Sequence, residues 1–291
     1  MSIASTDHYI NRGIMNVTKI ISIADVHFPV IKGLDDLKET LSTFINQCKE
    51  IVDKEGKDNV RIVIAGDVFH AKLTISPENM IEVNAFFSEL DNICKTIVIA
   101  GNHDMLMNNS DRIDAITPIF EIGDFKNVIY LDKELGYKSG IYKDDNIVWC
   151  LYSSFDEFKS PFENIRKSKD YTYVGLIHGE ITGSETAMKY VSENGLNPSI
   201  FEKCDFVIAG HIHKFQEIDY KKTKIVYCSS LRQRDFGETI SKHGFVLWDL
   251  SDKNNYTYQF IETPNPDGGF FKFSINDIED IENDKEELLN E

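Results

Sequence analysis

Five short, nearly continuous apolar runs punctuate this chain, and each stops at residues able to bind a divalent cation. Residues 20–24, 61–65, 96–100, 173–177 and 206–209 lead into Asp25-Val26-His27, Gly66-Asp67-Val68-Phe69-His70, Gly101-Asn102-His103-Asp104, Ile177-His178-Gly179 and Gly210-His211-Ile212-His213. Runs this short and this rich in β-branched residues suit strands buried on both faces. Six of the eight histidines fall at these five places, leaving only His8 and His243 elsewhere. A lone Asp after a strand is usually a helix cap and a lone His a core or surface residue; five strand ends agreeing is not that pattern.

Between the first three runs, apolar residues recur at three and four. Leu34, Leu37, Leu41, Phe44, Ile45, Cys48 and Val52 form one stripe, and Met80, Val83, Phe86, Phe87, Leu90 and Ile93 a second. Such spacing predicts amphipathic helices and hence βαβαβ order. A third helical stretch is expected at 110–122, with Pro118 complicating its middle or end. Further strands are expected at 127–131, 147–153, 224–228, 244–250 and 256–262, the last four forming a mixed or antiparallel second sheet. The fold class is therefore α/β: two packed mixed sheets flanked by helices, an α/β/β/α sandwich. Ile-Ala-Gly recurs at 64–66, 99–101 and 208–210, just before the cation-binding residues, where a glycine lets the chain turn sharply off a strand end. Ligands in open α/β sheets bind beyond the carboxyl ends of strands, so all five clusters are expected to meet there.

With 291 residues the chain has room for one large domain with small appendages. The expected division is an N-terminal extension over 1–16, a main domain over 17–263, and a linker with an acidic tail over 264–291. No run of 18 apolar residues and no secretory leader is visible, so a cytoplasmic protein without a membrane span is expected. The five cysteines are widely spaced, with no Cys-x-x-Cys pair; Cys48, Cys94, Cys150 and Cys228 sit in or beside apolar patterns and are read as reduced core residues, not as the metal site. A net charge of −17 argues against a nucleic-acid partner. Residues 276–291 carry eight acidic residues and one lysine, a net −7 that leaves −10 for the rest, and ligand carboxylates count as negative only until cations bind. The objection is reduced but stands.

Carboxylates, an amide and several imidazoles make a mixed oxygen and nitrogen shell that suits Mn²⁺, Fe or Zn²⁺ better than Ca²⁺ or Mg²⁺ alone. Seven potential ligands are too many for one ion and enough for two, about 3.5–4 Å apart with a shared carboxylate. Two such cations activate water and stabilise charge building on a phosphorus centre, so P–O hydrolysis is the expected reaction.

Asp-x-His, Gly-Asp, Gly-Asn-His-Asp, a single His and Gly-His-x-His, in this order over about residues 18–250, resemble the calcineurin-like metallophosphoesterase superfamily. The resemblance implies that Asp25, His27, Asp67 and His213 hold one metal, and Asp67, Asn102, His178 and His211 the other, with Asp67 bridging. It implies His103 as general acid, with Asp104 orienting it. Gly66-Asp67-Val68-Phe69-His70 is similar to the Gly-Asp-x-Phe-His of SbcD-type recombination nucleases, which makes His70 a second catalytic candidate. The segment 227–238, Tyr-Cys-Ser-Ser-Leu-Arg-Gln-Arg-Asp-Phe-Gly-Glu, is similar to that subfamily's Tyr-Pro-Gly-Ser…Arg…Phe-Gly-Glu, with Cys228 and Ser229 replacing Pro-Gly.

By this resemblance the expected activity is that of a Mn²⁺-dependent DNA exonuclease from the 3′ side and endonuclease on single strands or hairpins, in repair or recombination. The expected partners are DNA, a second copy docked through helices near 75–95 and 110–122, and an SbcC-type coiled-coil ATPase. The short C-terminus departs from the subfamily and weighs against the ATPase and a DNA-capping domain. Lys72, Arg112, Arg232 and Arg234 are candidates to meet a phosphate backbone. Two other readings are a phosphatase or phosphodiesterase of nucleotides or small phosphoesters, and a scaffold with a vestigial site; the presence of every expected ligand and of His103 speaks against the latter.

Overall fold

The computed structural model describes residues 16–270 apart from 30–32, 73, 107–108, 110–111, 157–160, 187–188, 240 and 265–268. In chain order its strands are β1 (Lys19–Ile23), β2 (Val60–Ala65), β3 (Thr96–Ile99), β4 (Val128–Tyr130), β5 (Gly140–Asp144), β6 (Ile147–Tyr152), β7 (Thr172–His178), β8 (Phe206–Gly210), β9 (Gln216–Tyr220), β10 (Thr223–Tyr227), β11 (Gly244–Asp249) and β12 (Thr257–Glu262). They form two six-stranded sheets, ordered β12-β11-β1-β2-β3-β4 and β5-β6-β7-β8-β10-β9. Among the described residues the α-helices are α1 (Leu34–Glu55), α2 (Pro77–Ile93), α3 (Thr117–Ile122) and α4 (Leu131–Glu134). None of the described helices is long and apolar enough to cross a membrane.

Every residue of β2 and β3 is buried, as their nearly continuous apolar composition favours, with Arg61 and Thr96 the polar members. One face of the first sheet packs on α1 and α2: Leu37, Phe44 and Cys48 from α1 and Val83, Phe87 and Leu90 from α2 share a core with Ile21, Ile62 and Val98. Its other face packs on the second sheet, where Ile20, Val63 and Val246 meet Trp149, Val174 and Ile208. Phe206 on β8 stacks on Trp248 of β11 across that interface, ring centroids 4.1 Å apart. Phe162, Phe201, Ile181 and Ile212 cover the outer face of the second sheet from loops and a single 3₁₀ turn, Pro198–Phe201. Truncating a side chain as large and buried as Phe44 to alanine costs about 3–5 kcal/mol.

Three expectations change. Residues 244–250 and 256–262 belong to the first sheet: β11 pairs antiparallel with β1, and β12 with β11, so only 147–152 and 223–227 join the second sheet. The edge of β1 offers free backbone groups, and an antiparallel strand satisfies them without a crossover helix. The helix expected at 110–122 starts only at Thr117, because Pro118 fits the first turn, where its missing N–H costs nothing. Two strands were not expected, β5 and β9; both are edge strands that alternate between half-buried and exposed residues and carry no apolar run. The extension at 1–16 and the tail at 264–291 lie almost wholly outside the described residues. All five cysteines are buried and free.

At the end of the sandwich where β2 begins, a buried ion cluster ties the sheets together. Arg61 reaches Asp144 at 2.8 Å and Asp145 at 2.6 Å, and Lys95 reaches Asp144 at 2.7 Å. Trp149 adds an indole N–H to the same carboxylate.

Candidate metal centre

The opposite end gathers the cation-binding residues. β1, β2 and β3 run parallel in one sheet and β7 and β8 in the other, so their carboxyl ends point the same way within each sheet. The loops after β1 and β2 run zipped together: the N–H groups of Asp25, His27 and Phe28 donate to the carbonyls of Gly66, Asp67 and Val68, and His70 N–H donates back to Phe28. Asp25, His27, Asp67 and His211 all adopt positive φ, at 55°, 50°, 54° and 95°. Such backbone strain in non-glycine residues concentrates at functional sites, because the surrounding structure must hold it. Gly66 has φ 88°, and a Cβ there would lie 2.4 Å from His178 Nδ1. At Gly101 a Cβ would lie 2.1 Å from Asp67 Oδ1 and at Gly210 2.1 Å from the Ala65 carbonyl, so all three Ile-Ala-Gly glycines serve close approach.

The expected ligands do converge. Asp25 and Asp67 are each 1% exposed, His27 3% and His178 6%. Asp25, His27 and His213 form one group of ligating atoms within 4.8 Å of one another, and Asp67, His178 and His211 another. Asp67 Oδ2 lies 3.5 Å from His27 Nε2 and 3.2 Å from His178 Nε2, so it stands between the groups. Asn102 Oδ1 completes the second, 3.1 Å from His178 Nε2 and 2.9 Å from His211 Nδ1.

The chemistry of these contacts shows whether cations fit. His178 Nδ1 donates to the Ala65 carbonyl at 2.8 Å, which turns the lone pair of Nε2 toward Asp67 Oδ2 and Asn102 Oδ1, both acceptors. His213 Nδ1 donates to Glu238 Oε1 at 2.5 Å, which leaves its Nε2 facing His27 Nε2 at 3.2 Å and Asp25 Oδ1 at 3.6 Å. Acceptor atoms this close need a cation or a proton between them, and a carboxylate or carbonyl behind each imidazole is the support a metal-bound histidine uses. The residues present fit a pair of divalent ions.

Without cations, protons do part of that work. Burial opposes charge on His178, but the Asp67 carboxylate outweighs it and lifts the imidazole to about 9. On His213, burial is outweighed by hydrogen bonds to Asp25 and Glu238, which lift it to about 10. His27 goes the other way: burial, then the Arg234 cation, holds it well below the usual imidazole range.

His70 and His103 stand over the buried ligands, His70 exposed and His103 half-buried, their rings stacked at 5.6 Å. Asp104 does not orient His103. Its fully buried carboxylate accepts the backbone N–H groups of Phe69 (2.8 Å), Gly101 (2.9 Å) and Val68 (3.2 Å), binding two metal loops to each other. His103 is positioned instead by its Nδ1, 2.6 Å from the His70 carbonyl, and by its backbone N–H on Asp67 Oδ1 at 2.8 Å. Arg234 reaches the site through His70 Nδ1, at 2.8 Å. Arg232 does not, because it turns toward the start of α1, 3.9 Å from Asp36. Two neighbours had not been singled out: Glu238 behind His213, and Glu180, 3.8 Å from His211 Nε2. The Phe-Gly-Glu ending of segment 227–238 was the available signal for Glu238.

The family model for calcineurin-like phosphoesterases matches residues 18–215, the span that supplies every one of these ligands. The chain belongs to that family. Its members use a dinuclear metal centre to hydrolyse phosphoesters, and the two ligand groups sharing Asp67 are suited to one. Among curated proteins the chain is similar to the uncharacterized protein R555 of Acanthamoeba polyphaga mimivirus, 31% identical over 273 residues that cover 90% of this chain and 19% of that protein. The chain thus spans under a fifth of that relative's length. It is also similar to the putative phosphoesterase 244L of Invertebrate iridescent virus 6, 27% identical over 242 residues, 82% of this chain and 78% of that one. Among solved structures, GAP50, the anchor in the inner membrane complex of Plasmodium, matches with a TM-score of 0.48 at 13% identity, covering 87% of this chain and 86% of that one.

Proposed function

We propose that this phosphoesterase is a Mn²⁺-dependent DNA phosphodiesterase of the SbcD type, acting as a 3′-side exonuclease and as an endonuclease on single strands or hairpins. The observation that carries the reading is the pairing of His70 with Arg234 at 2.8 Å. It joins the Gly-Asp-x-Phe-His motif to the Arg-Asp-Phe-Gly-Glu segment, the two features by which the sequence resembles that subfamily, on one rim of the metal ligands. An exposed and a half-buried imidazole above buried ligands also suit a polymer that must lie across the site.

Two bound divalent ions would supply an activated water and neutralise charge on the phosphate. The chain's own residues do the rest. Asp25, His27, Asp67 and His213 would hold one ion and Asp67, Asn102, His178 and His211 the other. His103 is placed to give a proton to the leaving oxygen from Nε2, since its Nδ1–H is engaged by the His70 carbonyl. His70 offers a hydrogen bond to a phosphate oxygen. A second copy of the chain is proposed to dock on α2 and α3, where Ile81 and Ile122 are 67% and 80% exposed.

A second reading, a phosphodiesterase of nucleotides, is favoured by the net charge of −17 and by Arg232 turning away from the site. Cleavage of end-labelled single-stranded, hairpin and duplex DNA by Mn²⁺-loaded protein separates the two, with His103→Ala and His70→Ala as controls of measured metal content. The DNA reading expects cleavage that both variants lose. Inert DNA beside rapid hydrolysis of a small diester would transfer the assignment to nucleotides.

A further inference from the structure

Arg234 comes from a loop far along the chain, yet two contacts of its own and those of its neighbour Gln233 fix it beside the metal ligands. Its Nη2 lies 2.8 Å from His70 Nδ1, and its backbone N–H donates to Glu238 Oε2 at 2.9 Å. The other oxygen of that carboxylate holds His213. Gln233, buried next to it, donates to the Glu238 carbonyl at 2.9 Å and brackets the backbone of Phe270, accepting its N–H at 2.7 Å and donating to its carbonyl at 3.2 Å. The loop therefore holds the guanidinium in place.

A guanidinium has only donors and stays protonated in proteins. His70 Nδ1 must therefore be the acceptor, and the neutral ring carries its proton on Nε2. His103 is fixed the opposite way: its Nδ1 faces a carbonyl, which only accepts, so Nδ1 carries a proton and Nε2 is the nitrogen left to exchange one with substrate. Two stacked imidazoles, ring planes 15° apart, thus have their fixed protons on opposite nitrogens. His27, His70 and His103 also bring ligating nitrogens within 4.8 Å of one another, a spacing that would itself accept a cation.

We infer that Arg234 is a positioning residue that locks His70 as an Nε2–H donor toward a substrate phosphate oxygen, and so denies a third cation the His27–His70–His103 trio. The inference rests on the cluster being the phosphoesterase centre, not on DNA being the substrate. Its rival is direct action, through Arg234 Nη1, which is buried and without a hydrogen-bond partner among the described residues.

Two measurements decide, neither using DNA. Ring ¹⁵N–¹H correlation spectra of the Mg²⁺-loaded protein should show His70 with a bare Nδ1 and a protonated Nε2, and Arg234→Ala should move it toward a mixture of tautomers. A proton on Nδ1 in the wild type, or an unchanged ring in the variant, overturns the inference. Hydrolysis of bis(p-nitrophenyl) phosphate supplies a double-mutant cycle. Arg234→Ala should lower kcat about tenfold with little change in KM, and should cost nothing more in a His70→Ala background. A loss that persists in full in that background shows that Arg234 acts by itself and overturns the proposal.

Discussion

The two ends of the sandwich both bury charge, and they balance it differently. Where β2 begins, Asp144 sits against Arg61 and Lys95, so every charge there has an opposite partner built into the chain. Where β2 ends, Asp25 and Asp67 make their close ion-pair contacts, among the described residues, with histidines alone. Arginine and lysine are permanent cations; imidazole gives up its proton and offers a lone pair. One end is closed electrostatically, and the other is open to two divalent ions. The backbone agrees: positive φ at Asp25, His27, Asp67 and His211 places strain at the open end.

Substitutions that separate stability from activity should break this comparison if it is wrong. The largest effect is expected for Asp67→Asn, which removes the shared carboxylate. Phosphodiester hydrolysis should fall on the order of 10³-fold, and the stabilisation that Mn²⁺ gives the fold should shrink with it; hydrolysis at the wild-type rate would mean that Asp67 is not the shared ligand. Asp144→Ala should do the reverse, costing about 3–5 kcal/mol in urea unfolding because Arg61 is left buried and unpaired, with metal content unchanged.

The pH dependence of that second effect follows from its sign. Burial works against the charge on Asp144, but Arg61 and Lys95 outweigh it and hold its carboxyl below the usual range. A depressed folded value gives stability that is complete above the unfolded carboxylate value and is lost as pH falls through the folded one. The advantage of wild type over Asp144→Asn should therefore be constant near neutrality and shrink below about pH 4. An advantage that grows on acidification would contradict the assignment.

Smaller effects sharpen the picture. Glu238→Gln should weaken Mn²⁺ binding about 10- to 100-fold by loosening His213, read by titration calorimetry, with unfolding little changed. Lys38→Ala, which removes an exposed pair with Glu82, should leave both metal binding and the unfolding midpoint where they were.

Much of this was legible in the sequence, for reasons specific to certain residues. The runs ending at Ala24, Ala65, Ala100, Ile177 and Ala209 are short, β-branched and nearly continuously apolar, a pattern that suits a strand buried on both faces. The ligands follow them directly, so finding the strand ends found the site. β5 and β9 were hidden because an edge strand wets one face and mixes Lys, Asp and Glu with its apolar residues. The placement of β11 beside β1 was hidden because strand pairing is a tertiary choice that no local pattern encodes. Asp104 was misassigned because its nearest neighbour in sequence, His103, is not its partner in space; its carboxylate serves backbone amides of two loops.

Metal stoichiometry tests the account most directly. Wild-type protein and Asp67→Asn, each saturated with Mn²⁺ and freed of excess, would be analysed for bound metal per chain. The account predicts two ions in the wild type and at most one tightly held in the variant. A wild type that keeps fewer than two, or a variant that still keeps both, would contradict a two-metal centre bridged by Asp67.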